Sequence, residues 1–260
     1  MKYIFTSTLL SLCFVGSAQL YLTTAYSLAA PKQKMGENIG FIHSLHVGAQ
    51  YFMSGKLNRL AIGIEFAPGT YASTQKMQTF NFGNNSSTKT MVTYNSNVLQ
   101  SSFIGKYFLL RKKNILPYIN AKAGFAAFYS NIYVADPADV DGCRALQQKN
   151  LINDNTFMAG YGGGLQLDWA IFNKKEKKRQ GWIDFSVNTI RGGKIDYINT
   201  KKLIDPNNPP TTIDGKPLNV TFINASTQQI HEHQVAEVFN TPLRMLEFKI
   251  NVIYGLSVFK

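Results

Sequence analysis

The sequence predicts an all-β fold: an eight-stranded antiparallel up-and-down transmembrane β-barrel, with short turns at one end and long loops at the other. Three observations predict it. Large apolar residues alternate with small or polar ones at period two almost from end to end, and helical spacing is hard to find. The connections alternate between short and long, as in an even-stranded membrane meander. The chain is 45% hydrophobic and 13% aromatic but only 16% charged, yet it holds no run of about 18 apolar residues for a spanning helix. Such a composition also excludes a disordered chain, which is richer in charge and poorer in aromatics.

Five strands are strongly patterned. Leu60, Ile62, Ile64 and Phe66 oppose Ala61, Gly63, Glu65 and Ala67. Ile119, Phe125 and Tyr129 share a parity against Asn120, Lys122 and Gly124. Phe157, Tyr161, Leu165 and Leu167 oppose Met158, Gly160, Gly162 and Asp168; Ile183, Phe185 and Val187 oppose Asp184, Ser186 and Asn188. Leu246, Phe248, Ile250, Val252 and Tyr254 oppose Glu247, Lys249 and Asn251. With three weaker segments, the expected strands cover 19–29, 42–53, 57–72, 91–110, 116–134, 155–172, 181–199 and 243–259. Long loops are expected at 30–41, 73–90, 135–154 and 200–242, the last able to fold as a small lid or binding hairpin.

Ahead of the barrel, Met1 and Lys2 precede an apolar stretch ending in Gly16, Ser17 and Ala18. This is the layout of a cleaved secretory signal over residues 1–18, leaving 19–260 as the barrel domain. Cys13 leaves with the signal, so Cys143 has no partner for an intramolecular disulfide. With the N-terminus of the barrel in the periplasm, short turns fall on that side and long loops face outward.

A soluble lipocalin-like barrel has the same topology. In that fold the polar face meets water and is crowded with Lys, Glu and Gln. Here the polar parity is mostly Gly, Ala, Ser and Asn, which suits a cramped lumen and turns the large apolar parity toward lipid.

The segment Leu116-Pro-Tyr-Ile-Asn-Ala-Lys-Ala-Gly-Phe125, the Gly-rich strand Met158 to Trp169 and the alternating final strand resemble the small outer-membrane β-barrel proteins common in Bacteroidota. They are similar in layout to OmpA/OmpX-type barrels. The ending Phe259-Lys260 departs from the terminal aromatic residue that such barrels often present to the barrel assembly machinery. The resemblance implies integral insertion in the outer membrane of a Gram-negative cell, among its lipids and lipopolysaccharide. It implies no single activity, since such barrels include adhesins, porin-like channels, anchors and lipid-modifying enzymes.

Seven charges fall on the inward parity: Glu65, Lys106, Lys122, Asp168, Asp184, Glu247 and Lys249. Unpaired charges there are costly, so a paired lumenal network is expected, acting as a plug that fixes register or as a narrow ion path. The basic excess concentrates in two turns, Arg111, Lys112 and Lys113, then Lys174, Lys175, Lys177, Lys178 and Arg179. On the periplasmic side these bases meet anionic head groups, or they are simply solvated turn residues. A nucleic-acid role is excluded, because no platform of interleaved aromatic and basic residues is present.

His231 and His233 point the same way if extended, as two metal ligands must, but no third ligand is near and a surface histidine pair serves as well. His43 and His46 lie on opposite faces, as do His43 and Ser44, so neither makes a pair. Gly162, Gly163 and Gly164 continue a strand on both sides, which fits close strand packing and not a phosphate cradle. No cofactor and no catalytic residue is expected. The sequence favours a non-enzymatic barrel with a structural or surface-interaction role through its loops. A narrow channel, a lipid-modifying enzyme and a soluble lipocalin-like binder are the alternatives.

Overall fold

In the computed structural model the chain is a closed ring of antiparallel strands. Residues 20–81, 87–110, 114–136, 145–171, 181–204, 213–223 and 230–255 are described. The signal segment, both basic turns and Cys143 lie outside them. In chain order the elements are β1 (Leu20–Pro31), helix α1 (Gln33–Asn38), β2 (Ile42–Phe52), β3 (Leu60–Asn81), β4 (Ser87–Phe108), β5 (Ile115–Ala135), β6 (Ala145–Asp168), β7 (Gly181–Ile198), β8 (Lys216–Ile223) and β9 (Ile230–Gly255). Each of β1 to β7 pairs with its neighbour in sequence, β7 pairs with β9, and β9 returns to β1. That last ladder runs from Tyr21↔Gly255 to Pro31↔Met245 and closes the ring at eight strands.

The expected alternation places the faces as the sequence analysis assigns them. Along the lower halves of the strands, Leu22, Val47, Ile64, Phe103, Phe125, Phe157, Phe185 and Ile250 all stand exposed on the outside. Phe103 is the extreme, at 73% exposure. Tyr51, Tyr107 and Tyr254 border this apolar belt near the short-turn end; Tyr26 and Tyr129 border it above. On β9 the belt runs from Leu246 to Tyr254, about 27 Å along the strand at ~3.4 Å per residue. A tilted strand of that length matches the ~25 Å apolar band of membrane barrels.

Above the belt the structure departs from the expected loops. The pairing of β3 with β4 continues from Ala72↔Ser96 to Asn81↔Ser87, through the segment expected as the loop 73–90. Apart from the Met77–Met91 pair, its outer side carries Ser73, Gln75, Thr79, Lys89, Thr93 and Asn95, so the apolar signal fades there although the hydrogen-bond ladder does not. Likewise β6 begins at Ala145, inside the expected loop 135–154. The expected loop 30–41 contains α1. The region 200–242 holds a ninth strand, β8, hairpinned to an upper extension of β9.

These extensions pack into a two-layer cap. Phe80, Val92, Tyr94, Ile132 and Val134 from β3–β5 meet Val220 of β8 and Val235 of β9. Beside them Ile152, Ile198 and Ala236 form a second small cluster. Polar ties join the layers: Gln78 Nε2 donates to the Ile204 carbonyl (3.0 Å), and Gln147 Nε2 to that of Thr221 (2.9 Å). Burial pushes the Tyr94 phenol up to about 12, so it stays a donor, here to the Val235 carbonyl.

Candidate functional site: the barrel interior

The interior is stacked in three zones. At the short-turn end lies an aromatic layer. Tyr21 packs edge-on against Phe52 and Trp182, with centroids 4.9 and 4.8 Å away, and Phe52 stacks on Phe108 at 5.5 Å. Ala61, Leu116, Tyr118 and Ile253 complete it. These residues sit on the inward parity at the last turn before each tight connection, where a large ring can fill the tapering end.

The middle zone is ionic. All seven charges of the inward parity are buried, with exposures between 0 and 7%. Lys106 Nζ lies 2.6 Å from Asp184 Oδ2, and the Tyr118 hydroxyl donates to Asp184 Oδ1 at 2.6 Å. Lys122 Nζ spans both oxygens of Glu247 at 2.9 Å, while Asn188 Nδ2 donates to Glu247 Oε1 at 3.0 Å. Lys249 Nζ binds Glu65 Oε2 at 2.5 Å, and His46 Nδ1 lies 2.8 Å from Glu65 Oε1. Asp168, cross-strand from Trp182, lies toward the aromatic layer and takes no part in these three pairs. Each pair joins strands far apart in sequence, so the charges tie one wall of the ring to another.

His46, Ser27, Tyr118 and Asn188 belong to this network but are absent from the charge list that the sequence provides. Parity alone places His46 and Tyr118 inside, but their partners depend on register between non-adjacent strands, which no local pattern encodes. Gly164 shows the same dependence. A Cβ built there would stand 2.5 Å from the Tyr118 hydroxyl and 2.4 Å from the Phe185 carbonyl, so only glycine leaves room for the Tyr118–Asp184 bond. The triple glycine is thus a matter of close packing.

The third zone, at the loop end, is again apolar. Met35 and Ile39, carried by α1 and its C-cap, insert among Ile42, Tyr71, Phe128, Met158, Ile190, Tyr197, Leu243 and Met245. Backbone amides of Thr200 and Lys201 donate to the Asn38 carbonyl, and Asn38 Nδ2 donates to the Tyr197 hydroxyl at 3.3 Å, holding the helix in the mouth.

One string of groups has the order used to activate a serine nucleophile: the Ser27 hydroxyl lies 2.7 Å from His46 Nε2, and His46 Nδ1 faces Glu65. It has no place for a substrate. Ser27 and His46 are 1% and 3% exposed. The cavity beside Glu65, lined by Thr23, Gln50, Lys106, Lys249 and Asn251, measures about 20 Å³, room for roughly one water.

His231 and His233 stand on one side of the β8–β9 hairpin, opposite Phe222 and Val220. Among the described residues, no group of three or more His, Cys, Asp or Glu could hold a metal ion. Burial and the neighbouring His231 lower the pKa of His233. Its protonation is therefore disfavoured in the folded hairpin. The hairpin's stability is intact above the unfolded value near 6.5 and declines as pH falls through the lower folded value. Limited proteolysis of the hairpin is expected to quicken below about pH 6 in the wild type and to lose that pH dependence in His233→Gln.

The comparisons with known proteins come down to layout. No protein-family model and no curated protein matches the chain. Among solved structures, Neisserial surface protein A is similar at 12% identity and a TM-score of 0.42, covering 93% of this chain and 99% of that one. Ail, the attachment invasion locus protein of Yersinia pestis, gives 10% identity and a TM-score of 0.38, covering 90% and 95%. The transport unit of the autotransporter AIDA-I from Escherichia coli gives 9% and 0.35, covering 98% and 97%. The closed ring itself rests on the chain's own strand pairing.

Proposed function

We propose that this chain is an integral outer-membrane barrel that acts as a sealed, non-enzymatic scaffold. It anchors in the lipid and holds its two-layer cap, with the β8–β9 hairpin, toward the surroundings. One observation carries the reading. The three buried ion pairs are closed off by an apolar layer on each side, with about 20 Å³ of space beside them. A continuous wet path needs a gap through all three layers, and a hydrolase needs an opening to its nucleophile. The packing of the interior offers neither, which supports the sealed reading. The apolar belt with bordering tyrosines supports the membrane setting, and the N-terminal signal layout supports export.

Two measurements test the proposal. Purified barrel in planar bilayers is expected to give no stable single-channel steps; regular steps would overturn the sealed lumen. Fractionated cells are expected to yield the protein from outer membranes only with detergent; recovery in the soluble periplasm would favour the lipocalin-like alternative.

A further inference from the structure

At the upper edge of the apolar belt the outer wall carries a row of bases that, among the described residues, form no ion pair. Arg191 of β7 and Arg244 of β9 are direct cross-strand partners. Both are exposed; Arg244 stands between the buried Leu243 and Met245, and Arg191 follows the buried Ile190, which fixes them on the outer side. On the other flank of β9, the Lys32 amide donates to the Arg244 carbonyl at 2.9 Å, and the Lys32 side chain is exposed as well. Arg191 and Arg244 thus stand side by side on adjacent strands, about 4.8 Å apart, and Lys32 lies beside Arg244 just past the end of β1. Lys194, also exposed, follows Arg191 above the bulge in β7.

Like charges placed directly across a ladder destabilise it. Among the described residues, the ion pairs involve His46, Lys106, Lys122 and Lys249 and none of these four bases. Asp196, further along β7, accepts from Asn240 Nδ2 at 2.6 Å. Glu247 faces the lumen. The row is arranged for an external anion.

Directly beneath it the belt is hollow. A groove of about 380 Å³ on β6, β7 and β9 is walled by Leu165, Phe185, Val187, Phe248 and Ile250, with Gly163 as its floor. Val187 and Phe248 lie four residues below Arg191 and Arg244, about 13 Å along the strands. Cationic row above and apolar trough below match one kind of molecule.

We infer that Lys32, Arg191 and Arg244 bind the phosphate of a phosphorylated lipid of the outer leaflet, whose acyl chain occupies the groove around Gly163. The inference rests on the proposed membrane setting. A free phosphate leaves the groove unexplained, and a second copy of this wall would bring the same positive row against itself.

Thermal unfolding of the purified barrel in neutral detergent tests it, with added diphosphorylated lipid A, the dephosphorylated lipid or inorganic phosphate. The phosphorylated lipid is expected to raise the unfolding temperature, and the other two to leave it nearly unchanged. Arg191→Gln/Arg244→Gln is expected to weaken the response about tenfold or more through lost charge-assisted bonds. Without lipid the same variant is expected to unfold no lower than wild type, since a repulsion is removed, which shows that it folds. Val187→Trp, which fills the groove, is expected to weaken the lipid response while keeping all three bases. An equal response to the dephosphorylated lipid, or to inorganic phosphate alone, would overturn the inference. So would an undiminished response in the double arginine variant. If a detergent-dependent barrel shows no lipid response, this site fails and the membrane setting stands; a barrel soluble without detergent fails the setting itself.

Discussion

Replacing Phe103 by arginine is expected to lower the stability of the lipid-embedded barrel by about 2–4 kcal/mol, the range found for a basic residue at the midplane of a barrel's lipid face. Phe103 lies mid-way along the belt on β4, between Leu99 and Tyr107, and is 73% exposed. In water such a substitution on an exposed site is nearly neutral, within about 0.5 kcal/mol. The difference between the two values is the test. Met91→Arg supplies the control, because Met91 is on the same side of the same strand but above the belt, where, apart from its cross-strand partner Met77, the outer side carries Lys89, Thr93, Gln75 and Thr79. Urea titrations of barrels folded into bilayers should separate the two variants. A Phe103→Arg barrel as stable as Met91→Arg would mean that this face does not meet hydrocarbon.

The second large effect lies inside. Lys122→Leu leaves the Glu247 carboxylate with only Asn188 as a direct donor, in a site where Glu247 has no exposed surface. Breaking a buried pair from one side costs about 3–5 kcal/mol, because the remaining charge has neither water nor counter-ion. The double variant Lys122→Leu/Glu247→Leu removes both charges and is expected to recover most of that loss, as apolar replacement of whole buried pairs often does. A double-mutant cycle on the temperature at which an unboiled barrel loses its compact gel mobility measures the coupling. Additive single and double effects would show that the two groups do not interact.

The sequence makes the ring legible because an apolar outer belt and a narrow lumen impose opposite demands on alternate residues. Ile62 and Glu65, or Phe248 and Lys249, show their faces without any knowledge of their partners. Above the apolar belt that contrast disappears. From Ala72 to Asn81 water covers one side and a thin cap the other, so a paired strand reads as a polar loop. The β8–β9 hairpin is hidden in the same way, with Pro206, Pro209 and Pro210 before it and two histidines within it. Within the ionic zone, the members of the network follow from parity but their pairing does not. Lys106 meets Asp184 across 78 residues and Lys249 meets Glu65 across 184, distances fixed by ring closure and strand stagger. The role of His46 is illegible in the sequence for that reason: it appears only when Ser27 and Glu65 are brought to either side of it.

The seam between β1 and β9 also has a consequence in time. It joins Tyr21 to Gly255, so nearly the whole polypeptide must be synthesised and delivered before the first strand can find its second neighbour. Contacts of such separation form slowly. Until then Leu22 and Tyr26 border an unsealed margin, and the lysine at 249 waits for its glutamate. A helper that shields this margin until the last strand arrives would govern how fast the molecule matures.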